Sequence, residues 1–142
     1  LNLRVDQLTD VRSLKKLTKL KHLDLEENKL SSVNGLEDLK QLTQLYLSRN
    51  QLTDVKGLEK LNQLTKLVLS GNQLTELPKG LEKLTKLGAL HLSNNQLTDV
   101  KGLEKLTQLG ILYLNDNPNL TKAQIDELKK ALPKCRIFSD FE

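Results

Sequence analysis

Residues Leu42–Gln63, LTQLYLSRNQLTDVKGLEKLNQ, hold within 22 positions the pattern on which nearly the whole chain is written. In Leu45-Tyr46-Leu47 the alternation is that of a short strand with one buried face, so the leucines point inward and Tyr46 points out. Further along, Val55, Leu58, Leu61 and Leu64 recur at every third residue. That spacing matches three residues per turn, which predicts a 3₁₀-like return segment instead of a long helix.

The same register runs outward in both directions. "LKHLDLEENKL" begins at Leu20, "LTKLVLSGNQL" at Leu64 and "LGALHLSNNQL" at Leu87, so the four copies from Leu20 are spaced by 22, 22 and 23 residues. A fifth copy, "LGILYLNDNPN", starts at Leu109. Upstream, Leu1, Leu3, Leu8, Val11, Leu14 and Leu17 repeat the register of Leu23, Leu25, Leu30, Val33, Leu36 and Leu39, so six strands are expected. Asn28, Asn50, Asn72, Asn95 and Asn117 fall in one column, where an amide can both donate to and accept from the backbone of adjoining coils. A lone coil cannot bury enough aliphatic surface to offset the ordering of its backbone, so the coils must stack.

This grid, LxxLxLxxNxL, resembles the leucine-rich-repeat family. The 22-residue form containing "LTDVKGLEKL" is similar to the repeats of internalin-type bacterial proteins and of a phosphatase regulatory subunit. The resemblance implies an α/β solenoid: a horseshoe segment with short parallel strands on its concave face, 3₁₀-like return segments and a C-terminal capping helix. Three places depart from the grid: Asp6 in the asparagine column, an extra residue in "LPKGLEKL" around Pro78, and a shifted ending at Pro118-Asn119-Leu120.

The end of the chain reads as a lid. Thr121 and Gln124 have capping-box spacing, Leu120 and Ile125 have hydrophobic-staple spacing, and Pro133 closes a helix of about 11 residues. Ile125, Leu128 and Leu132 share one face of it. Cys135, Ile137 and Phe138 then form a last extended stretch, as the similar tail "ALPKCRIF" of bacterial relatives implies. The expected division is a solenoid over 1–120 and a helical cap of the same domain over 121–142. The chain opens without methionine and partway through a repeat, as a processed or trimmed protein would. Its first coil has no comparable lid, so although a monomer is expected, that edge is open to edge-to-edge association.

Composition narrows the function classes. Lys and Arg number 22 against 18 Asp and Glu, a net charge of +4, but the two signs are interleaved and no basic run occurs, so nucleic acid is not implied. The single cysteine, Cys135, excludes an internal disulfide and a four-thiolate metal site. No apolar stretch reaches the roughly 18 residues of a membrane helix and no signal segment opens the chain, so a soluble protein without membrane insertion is expected.

Enzyme chemistry finds no constellation to use. His22 and His91 lie three coils apart, about 14 Å by strand spacing, which is too far to share a metal ion. Cys135 has no predicted base beside it and reads as a buried structural cysteine. Gly35, Gly57, Gly80 and Gly102 recur just before a core leucine and read as turn residues, with Pro78-Lys79-Gly80 as a local bulge. No catalytic residue, metal or cofactor is implied.

Variation among the repeats points elsewhere. "LTDVKGLEKL" occurs verbatim at 52–61 and at 97–106, whereas the outward strand positions differ. Between the two core leucines stand Asp24, Tyr46, Val68, His91 and Tyr113; two residues earlier stand His22, Gln44, Lys66, Ala89 and Ile111. With strands about 4.8 Å apart these columns span roughly 24 Å, a length suited to a protein or peptide partner. The expected contacts are His22, Asp24, Gln44, Tyr46, Lys66, Val68, His91, Ile111 and Tyr113, with the two tyrosines as anchors. Asp24, Glu26 and Glu27 would make one end of this face acidic, and Arg49 and Lys66 its middle basic. The function expected is non-enzymatic recognition. Two alternatives are an engineered or consensus scaffold without a natural partner, and the targeting domain of a larger enzyme.

Overall fold

The computed structural model describes residues 1–141. Six three-residue strands, β1 (His22–Asp24), β2 (Gln44–Tyr46), β3 (Lys66–Val68), β4 (Ala89–His91), β5 (Ile111–Tyr113) and β6 (Arg136–Phe138), form one sheet in chain order. Every pair is parallel and strictly in step, with Leu23, Leu45, Leu67, Leu90, Leu112 and Ile137 side by side. Short 3₁₀ turns at Arg12–Lys16, Leu36–Asp38, Leu58–Lys60, Leu81–Lys83 and Leu103–Lys105 return the chain, as the three-residue spacing requires. One α-helix, α1 (Lys122–Ala131), precedes β6.

The strand count is six, but its membership differs from the sequence reading. The stretch Leu1–Leu3 makes only one bridge, Asn2 to Asp24, in which the Asp24 N–H donates to Leu1 O at 2.9 Å and the Leu3 N–H to Asp24 O at 2.8 Å. The sixth strand is the tail after α1.

The grid leucines make a continuous aliphatic core running along the stack: Leu23, Leu45, Leu67, Leu90 and Leu112 are fully buried, as are Leu36, Leu58, Leu84 and Leu106. Leu3, Leu8, Leu14 and Leu20 of the first coil are only partly covered, and Leu1, Val5 and Leu17 are exposed, since among the described residues no further coil lies against them.

The asparagine column knits the coils together. Asn50 Nδ2 donates to Leu47 O in its own coil and Leu25 O in the previous one, both at 3.0 Å, while its Oδ1 accepts the Leu30 N–H at 3.0 Å. Asn28, Asn72, Asn95 and Asn117 repeat the arrangement. Among the described residues no buried side-chain nitrogen or oxygen lacks a partner. The residue just before each ladder asparagine is left-handed, at φ 57° for Glu27, 58° for Arg49, 70° for Gly71, 56° for Asn94 and 60° for Asp116. Its N–H donates to the next coil: Glu27 to Ser48 O, Arg49 to Ser70 O, Gly71 to Ser93 O and Asn94 to Asn115 O. At the last coil the Asp140 carboxylate takes over, accepting the Asp116 N–H at 2.9 and 3.1 Å.

Helix α1 is built as the capping signals predict, one residue shorter. Thr121 Oγ1 accepts the Gln124 N–H at 3.2 Å and Gln124 Oε1 accepts the Thr121 N–H at 2.9 Å. Gln124 also donates through Nε2 to Thr98 O at 3.1 Å, tying the cap to the preceding return segment. Leu120, Ile125, Leu128 and Leu132 are buried against the last coil. Cys135, expected to be buried, is half-buried, because it enters β6, the last strand of the sheet among the described residues. Among the described residues no helix is long and apolar enough to cross a membrane.

Candidate functional site

Strict register turns the outward strand positions into two straight columns. The first runs His22, Gln44, Lys66, Ala89, Ile111 and Arg136; the second runs Asp24, Tyr46, Val68, His91, Tyr113 and Phe138. All nine residues singled out from the sequence stand in these columns on one face. Two more stand with them, Arg136 and Phe138. Their signal was present in Arg136-Ile137-Phe138, which repeats the alternation of Ile111-Leu112-Tyr113, but α1 interrupts the leucine grid before it, and Phe138 was read as part of the lid.

The second column is a row of rings at its C-terminal end. Tyr113 stacks on Phe138 with centroids 4.8 Å apart and planes 10° from parallel, and its other side meets His91 at 4.4 Å with a 45° tilt. These three side chains are partly exposed. Val68, expected to be open on the same stripe, is not: only 7% of it is exposed. Its column direction is as expected, but the short Val side chain sits between the larger Tyr46 and His91 in register, so it contributes floor more than contact area.

At the other end Tyr46 is held by its neighbours. Its hydroxyl donates to Gln44 Oε1 at 2.9 Å, and the Lys66 ammonium lies 5.2 Å from its ring centroid, a cation–π distance. Arg136 lies similarly over Phe138, at 5.6 Å. Asp24, Glu26 and Glu27 gather at the first strand as expected. Burial, and next the Asp24 charge, raise the Glu26 carboxyl above its ordinary range. Arg49 does not form a free basic middle. It reaches back to Glu27 at 3.5 Å, which also holds Arg4 at 2.7 Å, so the acidic end carries its own counter-charges. Burial and then the Lys66 charge lower His91 below its ordinary value.

The return side uses its polar groups on itself. Gly35, Gly57 and Gly102 N–H donate to Glu37, Glu59 and Glu104 Oε2 at 2.8, 2.8 and 2.7 Å. Asp54 and Asp99 accept the N–H of Lys56 and Lys101 at 3.1 and 2.9 Å. The verbatim "LTDVKGLEKL" is therefore a self-bonded turn. Around Pro78 a hollow of about 910 Å³ lies on this side, lined by Val55, Leu77, Pro78 and Leu81 together with lysines and carboxylates, several of which are already committed to those amides.

Comparison with known proteins matches this chain to two family models, leucine rich repeats in two copies over residues 40–83 and 89–130, and leucine rich repeat over residues 1–52. Among solved structures, a leucine-rich-repeat protein of Leptospira interrogans is 36% identical with a TM-score of 0.86, over 92% of this chain and 34% of that one. An internalin C2 of Listeria monocytogenes is 29% identical with a TM-score of 0.80, over 95% of this chain and 57% of that one. An internalin (inlF) of the same species is 27% identical with a TM-score of 0.74, over 96% of this chain and 46% of that one. The chain thus spans 34%, 57% and 46% of the length of these three proteins. No curated protein matches the sequence.

Proposed function

This chain belongs to the leucine-rich-repeat family, with internalin-like repeats, and from that premise we propose that it is a non-enzymatic recognition module binding a protein or peptide partner through its strand face. The observation that carries the reading is the outward column in which Tyr46, His91, Tyr113 and Phe138 remain partly exposed, beside a return side whose carboxylates close its own turns. Tyrosine and arginine are the residues that most often dominate binding energy, and the two columns hold both. The nine residues named from the sequence form the proposed contact surface, with Arg136 and Phe138 added and Val68 as floor. The module works without catalytic chemistry or a bound cofactor.

The test is affinity capture with mass spectrometry. Partners retained by the wild-type chain and by a Lys56→Ala/Lys101→Ala return-side control should be lost with Tyr46→Ala. Equal retention by Tyr46→Ala and by Arg136→Ala would refute the assignment of this face.

A further inference from the structure

Two glycines bordering the strand face, Gly88 and Gly110, have neither a left-handed φ nor a crowded Cβ position that would require glycine. The residue immediately before each strand runs Lys21, Thr43, Thr65, Gly88, Gly110 and Cys135. Thr43 and Thr65 use their hydroxyls to bond the preceding coil, donating to Lys21 O at 3.1 Å and Thr43 O at 3.0 Å. At Gly88 and Gly110 that side chain is missing, although neither has a positive φ. A Cβ at Gly88 would meet nothing closer than Thr65 O at 3.8 Å, and at Gly110 nothing closer than Gly88 O at 3.4 Å, both ordinary contacts. Their N–H groups are already bonded to Thr65 O and Gly88 O, at 2.9 and 2.8 Å. Conformation and space both admit a Cβ here, so what glycine supplies is bare backbone. Glycine costs conformational entropy on folding, and beside a strand it often marks a place where a ligand or another backbone approaches the chain closely.

The ledge left by Gly88 and Gly110 borders the first column at Ala89 and Ile111, where Lys66 on β3 and Arg136 on β6 bracket it, and the ring row of His91, Tyr113 and Phe138 runs parallel in the second column. Each cation is propped over a ring, the first column holds no carboxylate, and neither cation is in an ion pair among the described residues. The two lie three strand spacings apart, about 14 Å. An extended chain covers that distance in four residue steps of about 3.4 Å. Building on the strand-face reading, we infer that the C-terminal half of this face receives an extended acidic segment of a protein partner, two carboxylates meeting Lys66 and Arg136 and an aromatic side chain between them lying on the ring row. The ledge gives its backbone room.

The probes are the capped pentapeptides Asp-Ala-Tyr-Ala-Asp and Lys-Ala-Tyr-Ala-Lys, titrated into the ¹⁵N-labelled chain at low salt. The acidic peptide is expected to move the amides of Gly88, Gly110 and Arg136 and to bind roughly fivefold tighter than the basic one, as two exposed ion pairs allow. Gly88→Thr/Gly110→Thr should weaken the acidic peptide by a similar factor without lowering the melting temperature. Lys66→Glu/Arg136→Glu should reverse the preference and serves as the deciding variant if the threonine pair folds poorly. Equal affinity for both peptides, no response to the acidic one at about 5 mM, well beyond a millimolar Kd, or unchanged preference in the charge-reversed variant would overturn the inference. Equal binding with shifts on the same amides would leave the strand-face reading standing, whereas shifts confined to the return side around Lys56 and Lys101 would remove both.

Discussion

Tyr113 and Phe138 come from opposite sides of the capping helix in sequence, yet their rings stack at 4.8 Å and 10° as register partners on β5 and β6. A stacked aromatic pair contributes about 0.5–1.5 kcal/mol beyond its buried area. In a double-mutant cycle of Tyr113→Ala and Phe138→Ala, read by urea unfolding, a coupling energy within that range is expected. A coupling near zero would mean the two rings do not support each other in solution. The same stack means that Tyr113→Ala lowers the melting temperature by itself, so Tyr46→Ala is the cleaner probe of binding.

Asn95 is fully buried and joins four backbone groups: its Nδ2 reaches Leu69 O and Leu92 O at 3.1 Å and Ser93 O at 3.3 Å, and its Oδ1 accepts the Leu74 N–H at 3.1 Å. Asn95→Ala leaves each of these without that partner, and we expect a loss of about 2–4 kcal/mol by denaturant unfolding. Asn95→Asp should be at least as harmful, because a carboxylate would face three carbonyls. Retention of wild-type stability by either variant contradicts a structural ladder.

Gly35 and Gly102 share one turn conformation, φ 104° and 102°, but differ in surroundings. A Cβ on Gly35 would approach Arg12 Cα to 2.7 Å, whereas on Gly102 it would meet nothing within 4 Å. Gly102→Ala should cost about 1–2 kcal/mol, the strain of a left-handed residue alone. Gly35→Ala should cost clearly more and loosen the first coil, visible as faster amide exchange at Val11 and Leu14. Equal losses would show that backbone strain alone sets the effect.

His91 has its proton affinity lowered by burial and next by Lys66, so the folded chain favours the neutral ring. As pH falls through the ordinary value of 6.5, the unfolded chain takes up the proton first, and stability contributed by neutral His91 declines from there until the folded ring protonates too. Above that window the contribution is constant. An NMR titration should place the His91 midpoint below 6.5. The drop in melting temperature between about pH 7 and 5 should be smaller in His91→Gln; identical drops would exclude His91 as its source.

Burial raises the Cys135 thiol, which leaves little thiolate at neutral pH. Iodoacetamide at about pH 8 should therefore alkylate the folded chain several-fold more slowly than the chain in urea. Comparable rates would show the thiol to be open.

Much of the fold was legible because stacking repeats one local solution. The Leu45-Tyr46-Leu47 alternation, the every-third-residue run from Val55 and the asparagine column each correspond to an observed strand, turn and ladder. The Thr121–Gln124 spacing likewise predicted the helix start. What escaped depends on company and not on pattern. Val68 has an outward position in the alternation, but its coverage is decided by the size of neighbours 22 and 23 residues away. Arg136 and Phe138 belong to the face only because α1 delivers the tail into register beside β5. Arg49 looked like a free charge until the coil geometry brought Glu27 within reach. Nothing in the repeat pattern marks Gly88 and Gly110, because only the folded neighbourhood shows that their positions admit a Cβ.

The tail that follows α1 occupies two roles at once. Its Ile137 packs against the core and Asp140 closes the amide series, while Arg136 and Phe138 extend the exposed columns. A stopper that is also part of the display gives this end of the molecule little evolutionary freedom: retuning it for a different partner means resealing the stack in the same step, whereas the strands further back can vary their outward residues and leave the closure untouched.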